Sequence, residues 1–291
     1  MTRRGFAIAR CASCGFAFAP AVGAADAARL YAEDDFFFAG KPEAAKRSWY
    51  DVLWARKRLF YLARLDRIAA FGRPARVLDI GCAGGYLMRA ARARGWLVEG
   101  VEPSPAMRER TRAGLECPVY ASVEEARASG ARFDCVMMFE VIEHLENPIA
   151  ALRAVRELLN PNGLLALSTP NCDAPGALAG EPLDIWFVPP IHVSFFNHAT
   201  LVRCVGQAGF TPLASAGLEG FAGVLAGEVR LPRWLSAALA PLRRGKRLLP
   251  HGAIGKWIER RYAGRLGLYQ RRDPAGIARA DVLELYARRV D

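Results

Sequence analysis

The sequence lacks several features by which proteins are assigned to broad classes. No run of 18 uncharged apolar residues occurs among its 291 residues, so we expect no membrane-spanning helix. Arg3 and Arg4 are not followed by a clean apolar stretch, so we expect no signal peptide. The seven cysteines are an odd number and are scattered through apolar segments. This favours a reducing, cytoplasmic location over a disulfide framework.

The sequence also contains only half of a zinc-binding ribbon. Cys11 and Cys14 form one Cys-x-x-Cys before Gly15, and no second Cys-x-x-Cys occurs in the chain. Tetrahedral zinc needs four ligands, which two such knuckles usually provide. We therefore interpret the segment as a ribbon remnant and do not expect zinc at Cys11 and Cys14, since further ligands would have to come from elsewhere or from a second chain.

Acidic residues are scarce near the C-terminal end. Residues 221–291 contain 15 Lys and Arg but 6 Asp and Glu, which gives this segment +9 of the chain's net charge of +11. Such a segment can meet nucleic acid, an anionic membrane surface or an acidic partner, or it can be a solvated, arginine-rich helical face. The stretch that begins at Trp234 is basic and amphipathic, which is compatible with peripheral membrane contact.

The glycine-rich turn after Ile80 lacks the spacing of a dinucleotide site. Apolar residues lead into Asp79, glycines follow from Gly81 onward, and a helical pattern begins near Tyr86. A buried strand, a tight glycine loop and a helix N-terminus form a cradle for a nucleotide-like cofactor. The dinucleotide-binding pattern Gly-x-Gly-x-x-Gly does not match here, because Ala83 occupies the position of its middle glycine. This argues against an NAD-binding site.

A second acidic residue completes the predicted cofactor site. Glu102 ends the strand-like run 96–101, where a carboxylate reaches ribose hydroxyls about 20 residues after the glycine loop. Asp79 and the loop resemble motif I of the class I methyltransferases that use S-adenosyl-L-methionine (SAM), Asp-x-Gly-x-Gly-x-Gly, with Ala83 in place of the middle glycine. The resemblance implies that Asp79 holds the amino-acid end of SAM, Glu102 its ribose and Ser122 its adenine side. The full set of expected cofactor-binding residues is Asp79, Gly81, Cys82, Ala83, Gly84, Gly85, Glu102, Pro103, Ser122, Phe139 and Glu140.

Strand and helix patterns alternate from residue 75 to 217. The alternation predicts a Rossmann-like, doubly wound α/β fold with a mostly parallel sheet, whose ligands bind beyond the carboxyl ends of the strands. The predicted strands are 76–80, 97–101, 117–120, 133–139 and 163–168, and the predicted helices are 43–71, 85–94, 104–113, 123–129, 147–159 and 198–207. We divide the chain into an irregular segment 1–40, a helical cap 41–74, a SAM-binding domain 75–220 and a basic, partly helical extension 221–291.

Polar side chains gather where the fourth predicted strand ends. Glu140, Glu143 and His144 are spaced i, i+3 and i+4, which places them on one face of a helix that starts there. Two carboxylates and an imidazole can bind a divalent cation or abstract a proton, but Glu143 and His144 can equally cap a helix beneath the cofactor. We take Glu143 and His144 as candidate catalytic residues and all three as a candidate metal site.

His192 is the other candidate base. It follows an aromatic, proline-rich loop, 185–191, that should reach over the pocket mouth. An imidazole there can remove a hydroxyl proton, or it can simply hold the loop. Glu-x-x-Glu-His after the fourth strand resembles the ubiquinone-biosynthesis O-methyltransferases and related small-molecule and sugar methyltransferases, in which these positions are associated with divalent-metal dependence. The resemblance covers about residues 75–215 and implies methyl transfer to a hydroxyl of a small molecule, a sugar or a lipid-linked precursor.

Two other functions remain open from the sequence. A nucleic-acid methyltransferase could hold phosphates with the basic extension, but base-nitrogen chemistry calls for an Asn-Pro-Pro-Tyr-type motif where Glu140-Val141-Ile142-Glu143 stands. A non-catalytic subunit with the same fold is the third alternative, because an intact cofactor loop indicates binding and not turnover. The residues that contact an acceptor come from variable segments, and the sequence does not name that acceptor.

Overall fold

The computed structural model describes residues 2–3, 6–20, 61–174, 189–218, 270–271, 277 and 280–290. The strands, numbered in chain order, are β1 Thr2–Arg3, β2 Phe6–Ala7, β3 Ala9–Arg10, β4 Ala17–Phe18, β5 Arg76–Ile80, β6 Leu97–Val101, β7 Val119–Tyr120, β8 Phe133–Phe139, β9 Leu159–Pro170, β10 Ser194–Phe195, β11 Phe210–Leu218, β12 Gln270–Arg271 and β13 Val282–Arg289. The helices are α1 61–70, α2 Tyr86–Arg92, α3 Pro105–Leu115, α4 Val123–Ala128, α5 Pro148–Leu158 and α6 His198–Gln207, and a 3₁₀ turn spans Ile142–His144.

The main sheet has the order β12-β11-β13-β9-β8-β5-β6-β7. The five strands from β9 to β7 run parallel, whereas β13 runs antiparallel between β9 and β11. The order reverses at β5, the first strand of the alternating region, so β6 lies on one side of it and β8 on the other. This reversal opens a crevice at the carboxyl ends of β5, β6 and β8, and the predicted fold class is confirmed.

Helices cover both faces of the sheet because each presents an apolar stripe. Leu152 and Val155 of α5 and Leu201 of α6 pack in one buried cluster, and Leu65 of α1 and Met88 of α2 pack in the other. Side chains of Ser104, Asn147 and Asn197 accept hydrogen bonds from the first turns of α3, α5 and α6. These caps set where the three helices begin.

The observed elements agree with the predicted ones, except at the ends of the alternating region. β9 starts before the predicted strand 163–168, and residues 160–163 bulge within it because Asn162 adopts a positive φ of 60°. The sheet also continues beyond the predicted domain limit at residue 220, since β13 near the chain's end is inserted between β9 and β11. The rest of the predicted helix 43–71, before residue 61, and the basic stretch from Trp234 lie outside the described residues.

Part of the N-terminal segment pairs with the strand that follows His192. The segment 1–40 was predicted to be irregular, but β3 and β4 form an antiparallel hairpin, and β4 also pairs with β10. The amide of Ala19 donates to the carbonyl of Val193 at 2.9 Å, which extends this pairing to the residue after His192. None of the helices within the described residues has the length and apolar character that a membrane crossing requires.

Candidate active site

The glycine loop follows β5 directly and turns beneath the start of α2. Gly81, Ala83 and Gly85 all have positive φ values, of 72°, 44° and 71°. A Cβ on Gly81 would lie 2.6 Å from Cγ2 of Val141, and one on Gly85 would lie 2.7 Å from Cγ2 of Thr111. Glycine is therefore required at 81 and 85 by both conformation and space, whereas Ala83 carries the conformational cost of a left-handed residue.

Glu102 lies where the sequence placed it, at the end of β6 and beside this loop. Its Oε2 accepts from the amide of Ala83 at 2.8 Å, and its Oε1 accepts from the amide of Ser104 at 2.9 Å. Each carboxylate oxygen has a second lone pair, so both oxygens can also accept from a ribose diol. The loop and the predicted ribose ligand are thus held together before any cofactor binds.

Asp79 is buried at the end of β5 and close to two other charged groups. Burial and, to a smaller extent, the nearby Glu102 carboxylate raise the pKa of Asp79 to about 8, although Arg64 opposes both effects. A carboxyl group in this state is mostly protonated at neutral pH. A cationic ligand would favour its ionised form, which suits the amino-acid end of SAM.

The polar cluster after β8 differs from its predicted arrangement. Glu140 has a positive φ of 58° and precedes the 3₁₀ turn, so it does not share a helix face with Glu143 and His144. Its Oε1 instead accepts from the hydroxyl of Ser168 at 2.6 Å and from Nη2 of Arg64 at 3.4 Å. The predicted metal set of Glu140, Glu143 and His144 is therefore not assembled as a helix face.

His192 takes the place that was predicted for Glu140. The ligand atoms of Glu143, His144 and His192 all lie within 4.8 Å of one another, the only such group of three His, Cys, Asp or Glu side chains among the described residues. The rings of His144 and His192 meet edge to face, with centroids 4.7 Å apart. Two histidines that the sequence offered as separate candidate bases are brought together in one site.

Hydrogen bonds to the loop that carries His192 define the state of His144. Nδ1 of His144 lies 2.9 Å from the carbonyl oxygen of Ile191. A carbonyl only accepts, so Nδ1 carries the proton and, in the neutral ring, Nε2 carries the lone pair. Burial lowers the pKa of His144, which keeps the ring neutral at pH 7. Nε2 lies 4.0 Å from Oε1 of Glu143.

Glu143 contributes a buried carboxyl group to the same site. Burial and the nearby Glu140 raise the pKa of Glu143 well above its usual range. Its backbone carbonyl accepts from the amide of Val193 at 2.9 Å, and Ser194 donates to the carbonyl of Leu145 at 2.7 Å. The 3₁₀ turn and the loop around His192 are therefore fixed to each other by backbone contacts.

The remaining predicted cofactor residues lie around the same crevice. Phe139 is buried at the end of β8 with the Arg64 guanidinium 4.3 Å above its ring. The carbonyl of Pro103 accepts from Arg108 at 3.0 Å, and Ser122 accepts from the amide of Glu125 at 3.2 Å as the cap of α4. Cys82 is buried after Gly81, and burial raises the pKa of its thiol.

Three residues of this region were not predicted from the sequence, namely Arg64, Ser168 and Glu284. Arg64 and Glu284 are ionisable residues within apolar segments, and this is the signal that could have identified them, because such residues are rarely buried unless paired. Nε of Arg64 donates to Oε1 of Glu284 at 2.6 Å. Ser168 had no distinguishing signal within its apolar strand.

The comparisons with known proteins agree with this geometry. A family described as "Methyltransferase domain" matches residues 53–215, more than half of the chain. The chain is 31% identical over 206 residues to a ubiquinone biosynthesis O-methyltransferase from Dinoroseobacter shibae, which covers 61% of this chain and 83% of that protein. It is 33% identical over 155 residues to a protein of the same name from Cereibacter sphaeroides, which covers 49% of this chain and 63% of that one.

This chain belongs to the class I SAM-dependent methyltransferases. A SAM-dependent methyltransferase from Thermotoga maritima shares the fold with a TM-score of 0.53 and 15% identity, over 83% of this chain and 94% of that one. The plantazolicin methyltransferase, solved with S-adenosylhomocysteine (SAH), shares the fold with a TM-score of 0.51 and 12% identity, over 92% of this chain and 97% of that one. In this methyltransferase the residues present fit SAM, because the buried carboxyl group of Asp79 and the carboxylate of Glu102 beside the glycine loop match the ammonium and the ribose hydroxyls that SAM would present there.

Proposed function

We propose that this methyltransferase transfers the methyl group of SAM to a hydroxyl oxygen of a small molecule, a sugar or a lipid-linked precursor. The observation that carries the proposal is the His144–His192 pair, which lies beside Glu143 just past the carboxyl end of β8. An alcohol is a poor nucleophile until its proton leaves, and a neutral imidazole is suited to accept that proton. Both named relatives above are O-methyltransferases.

The chain's own residues would align the acceptor and hold its proton. SAM supplies a methyl group on a sulfonium, which is already a good leaving group. The chain therefore has to place the acceptor oxygen in line with that methyl group and remove the hydroxyl proton. His192 directly follows Ile191, and Nδ1 of His144 is bonded to the carbonyl oxygen of Ile191. We assign proton acceptance to this pair.

A divalent cation is a second way in which the same three side chains can activate a hydroxyl. Two imidazoles and a carboxylate form a donor set used by several divalent metals. A bound cation would lower the pKa of the acceptor hydroxyl and would require Glu143 to be ionised. The two mechanisms predict opposite responses to chelation, so one experiment separates them.

The test follows methyl transfer from labelled SAM to a simple phenol, a monosaccharide and a polyprenyl-linked sugar. We expect His192→Ala and His144→Ala to lower kcat by about 10²- to 10⁴-fold, the usual contribution of a general base. SAH affinity should change less than twofold in both variants, because neither ring belongs to the glycine loop. His198→Ala is the matched control, since His198 begins α6 and lies outside the group of three.

The pH dependence and chelation complete the test. The lowered pKa of His144 predicts that activity falls only below about pH 6.5, the ordinary histidine value. Activity that survives EDTA supports the base mechanism, and activity that EDTA removes and Mg²⁺ or Mn²⁺ restores supports the metal. Unchanged kcat in both histidine variants would contradict the proposal, as would SAH binding without transfer to any hydroxyl.

A further inference from the structure

The cap helix α1 supplies an unusual buried cation to this site. Arg64 is fully buried, and no other arginine or lysine is buried among the described residues. Five acidic residues are buried among the described residues, namely Asp79, Glu99, Glu102, Glu143 and Glu284. A buried charge is costly unless it is paired and hydrogen-bonded, so the partners of Arg64 show what its position serves.

Arg64 connects the last strand of the sheet to the carboxylate of Glu140. Its Nε donates to Oε1 of Glu284 on β13 at 2.6 Å. Its Nη2 donates to the hydroxyl of Ser168 on β9 at 3.0 Å and to Oε1 of Glu140 at 3.4 Å. Ser168 in turn donates to the same Oε1 at 2.6 Å. One oxygen of Glu140 is thus held from two directions.

Glu284 is itself fixed by a second set of donors. Arg67, one turn after Arg64 on α1, forms an ion pair with Oε2 of Glu284. The hydroxyl of Tyr286 also donates to Oε2, at 3.1 Å, and accepts from Nε of Arg67 at 2.8 Å. The carboxylate of Glu284 therefore holds two arginines of α1 against the sheet, and it fixes the guanidinium of Arg64.

Among the described residues the other oxygen of Glu140 is left without a partner, and Glu140 itself lies next to the glycine loop. Oε2 is buried and has no hydrogen-bond partner within the described part of the chain. The next residue, Val141, lies so close to Gly81 that a Cβ on that glycine would be 2.6 Å from it, so Glu140 borders the glycine loop. The methionine end of SAM carries two positive charges, on its ammonium and its sulfonium. A buried carboxylate oxygen at the loop matches that chemistry.

We propose that Arg64 is a positioning residue for cofactor binding: held by Glu284, it fixes Glu140 through Oε1 so that Oε2 receives the cationic methionine end of SAM. The guanidinium above Phe139 adds a second constraint on the same wall of the site. Arg64 acts through Glu140 and contacts no reacting atom. The proposal concerns cofactor binding and is independent of which acceptor hydroxyl is methylated.

The test is a double-mutant cycle between Ser168 and Glu140, read by calorimetric titration of the full chain with SAM. Arg64→Met is the direct variant, but it leaves Glu284 buried with one partner fewer, which can prevent folding. Ser168→Ala removes a single hydroxyl, which donates to Oε1 of Glu140 and accepts from Nη2 of Arg64, and it keeps the ion pairs. We expect Glu140→Gln to weaken SAM binding about tenfold and Ser168→Ala about threefold, in line with single hydrogen bonds to charged groups.

The expected signature is loss of additivity. Ser168→Ala should have little further effect once Glu140→Gln is present, because the hydroxyl acts through that carboxylate. KM for SAM should rise in Ser168→Ala while kcat at saturating SAM stays within about twofold. Arg64→Lys, where it folds, should bind SAM better than Arg64→Met. Arg127→Met is the control, since Arg127 forms an exposed ion pair with Glu157 on the surface.

Two results would overturn the proposal. If Glu140→Gln binds SAM as tightly as the parent protein, Oε2 does not receive the cofactor. If the effects of Ser168→Ala and Glu140→Gln simply multiply, the network has a general structural role and does not position Glu140. The calorimetric titrations with SAM need no acceptor, so they can be read even if the hydroxyl-acceptor assay fails. This proposal and the proposed function can therefore fail separately.

Discussion

The two halves of the active site are held together in different ways. On the cofactor side, the amide of Ala83 reaches Glu102, which is 19 residues away, across adjacent strands β5 and β6. On the acceptor side, His144 bonds to Ile191, 47 residues away, and the wall that this side shares with the cofactor at Glu140 is held by Arg64, which bonds to Glu284, 220 residues away. The cofactor side therefore depends on one βαβ unit, whereas the other side depends on the whole sheet and on the cap helix.

This difference predicts how each half responds to change. The cofactor half is set by local backbone geometry, so its sensitive positions are the residues with positive φ. The acceptor half is set by side-chain contacts between distant segments, so its sensitive positions are the buried polar groups. Gly81 is the exception that joins them, because the space beside it is filled by Val141 from the other half.

The largest effect is expected for Gly81→Ala, which would disturb both halves at once. The left-handed φ of 72° costs an alanine about 1–2 kcal/mol, and displacing the stiff Val141 side chain adds roughly 1–3 kcal/mol. We expect the free energy of unfolding to fall by about 2–5 kcal/mol on this basis and SAH binding to be lost. Urea denaturation and calorimetry measure the two quantities.

Gly130→Ala is the matched control for that experiment. Gly130 has almost the same φ, 74°, but no atom lies within 4 Å of the position its Cβ would take. The free energy of unfolding of Gly130→Ala should fall only by the conformational cost of a left-handed alanine, about 1–2 kcal/mol, and its SAH affinity should be unchanged. Equal losses in the two variants would mean that the contact between Gly81 and Val141 does not couple the halves.

A smaller effect, on SAH affinity, is expected from the titration of Asp79. Its pKa of about 8 in the cofactor-free protein means that a ligand whose ammonium pairs with the ionised carboxylate must displace a proton at lower pH. SAH should bind roughly tenfold more weakly at pH 7 than at pH 8.5, and should release close to one proton at pH 7. Titrations in buffers of different ionisation enthalpy count that proton.

The same carboxyl group sets a trend in the stability of the cofactor-free protein. Its pKa is higher in the folded state than in the unfolded chain, so its contribution is fully present below about pH 4 and is lost as the pH rises through about 8. Asp79→Asn should flatten both pH dependences, whereas Asp66→Asn should leave them as they are. A pH-independent SAH affinity in the parent protein would refute the assignment.

The contrast between the halves also explains what could be predicted from the sequence. The five parallel strands, the glycine loop and Glu102 were predicted because strand periodicity and loop spacing are local properties of the chain. Glu140 was misplaced because its positive φ, which no local pattern signals, turns it toward Ser168. The role of β13 and its Glu284 was missed because strand insertion across the sheet depends on pairing between distant segments.

The proposals about localisation and partners stay predictions. The basic segment that could meet a membrane surface lies outside the described residues, and the comparisons give no support to a nucleic-acid methyltransferase or to a non-catalytic subunit. The interpretation of Cys11 and Cys14 as a ribbon remnant also stays a prediction; both are free thiols in the turn between β3 and β4. That hairpin pairs with β10 next to His192.

The smallest effect is expected where the cofactor half departs from the family pattern. Ala83 stands at the middle glycine of motif I with a positive φ of 44°, and its amide already donates to Glu102. Ala83→Gly should relieve a left-handed alanine but add conformational freedom to the unfolded chain, so we expect a net gain of about 0.5–1 kcal/mol. SAH affinity should stay within twofold, because the amide that contacts Glu102 is retained. Ala126→Gly, inside α4, is the opposite control and should lose about 1 kcal/mol. A loss of stability in Ala83→Gly would show that the Ala83 methyl group makes contacts that outweigh its strained backbone.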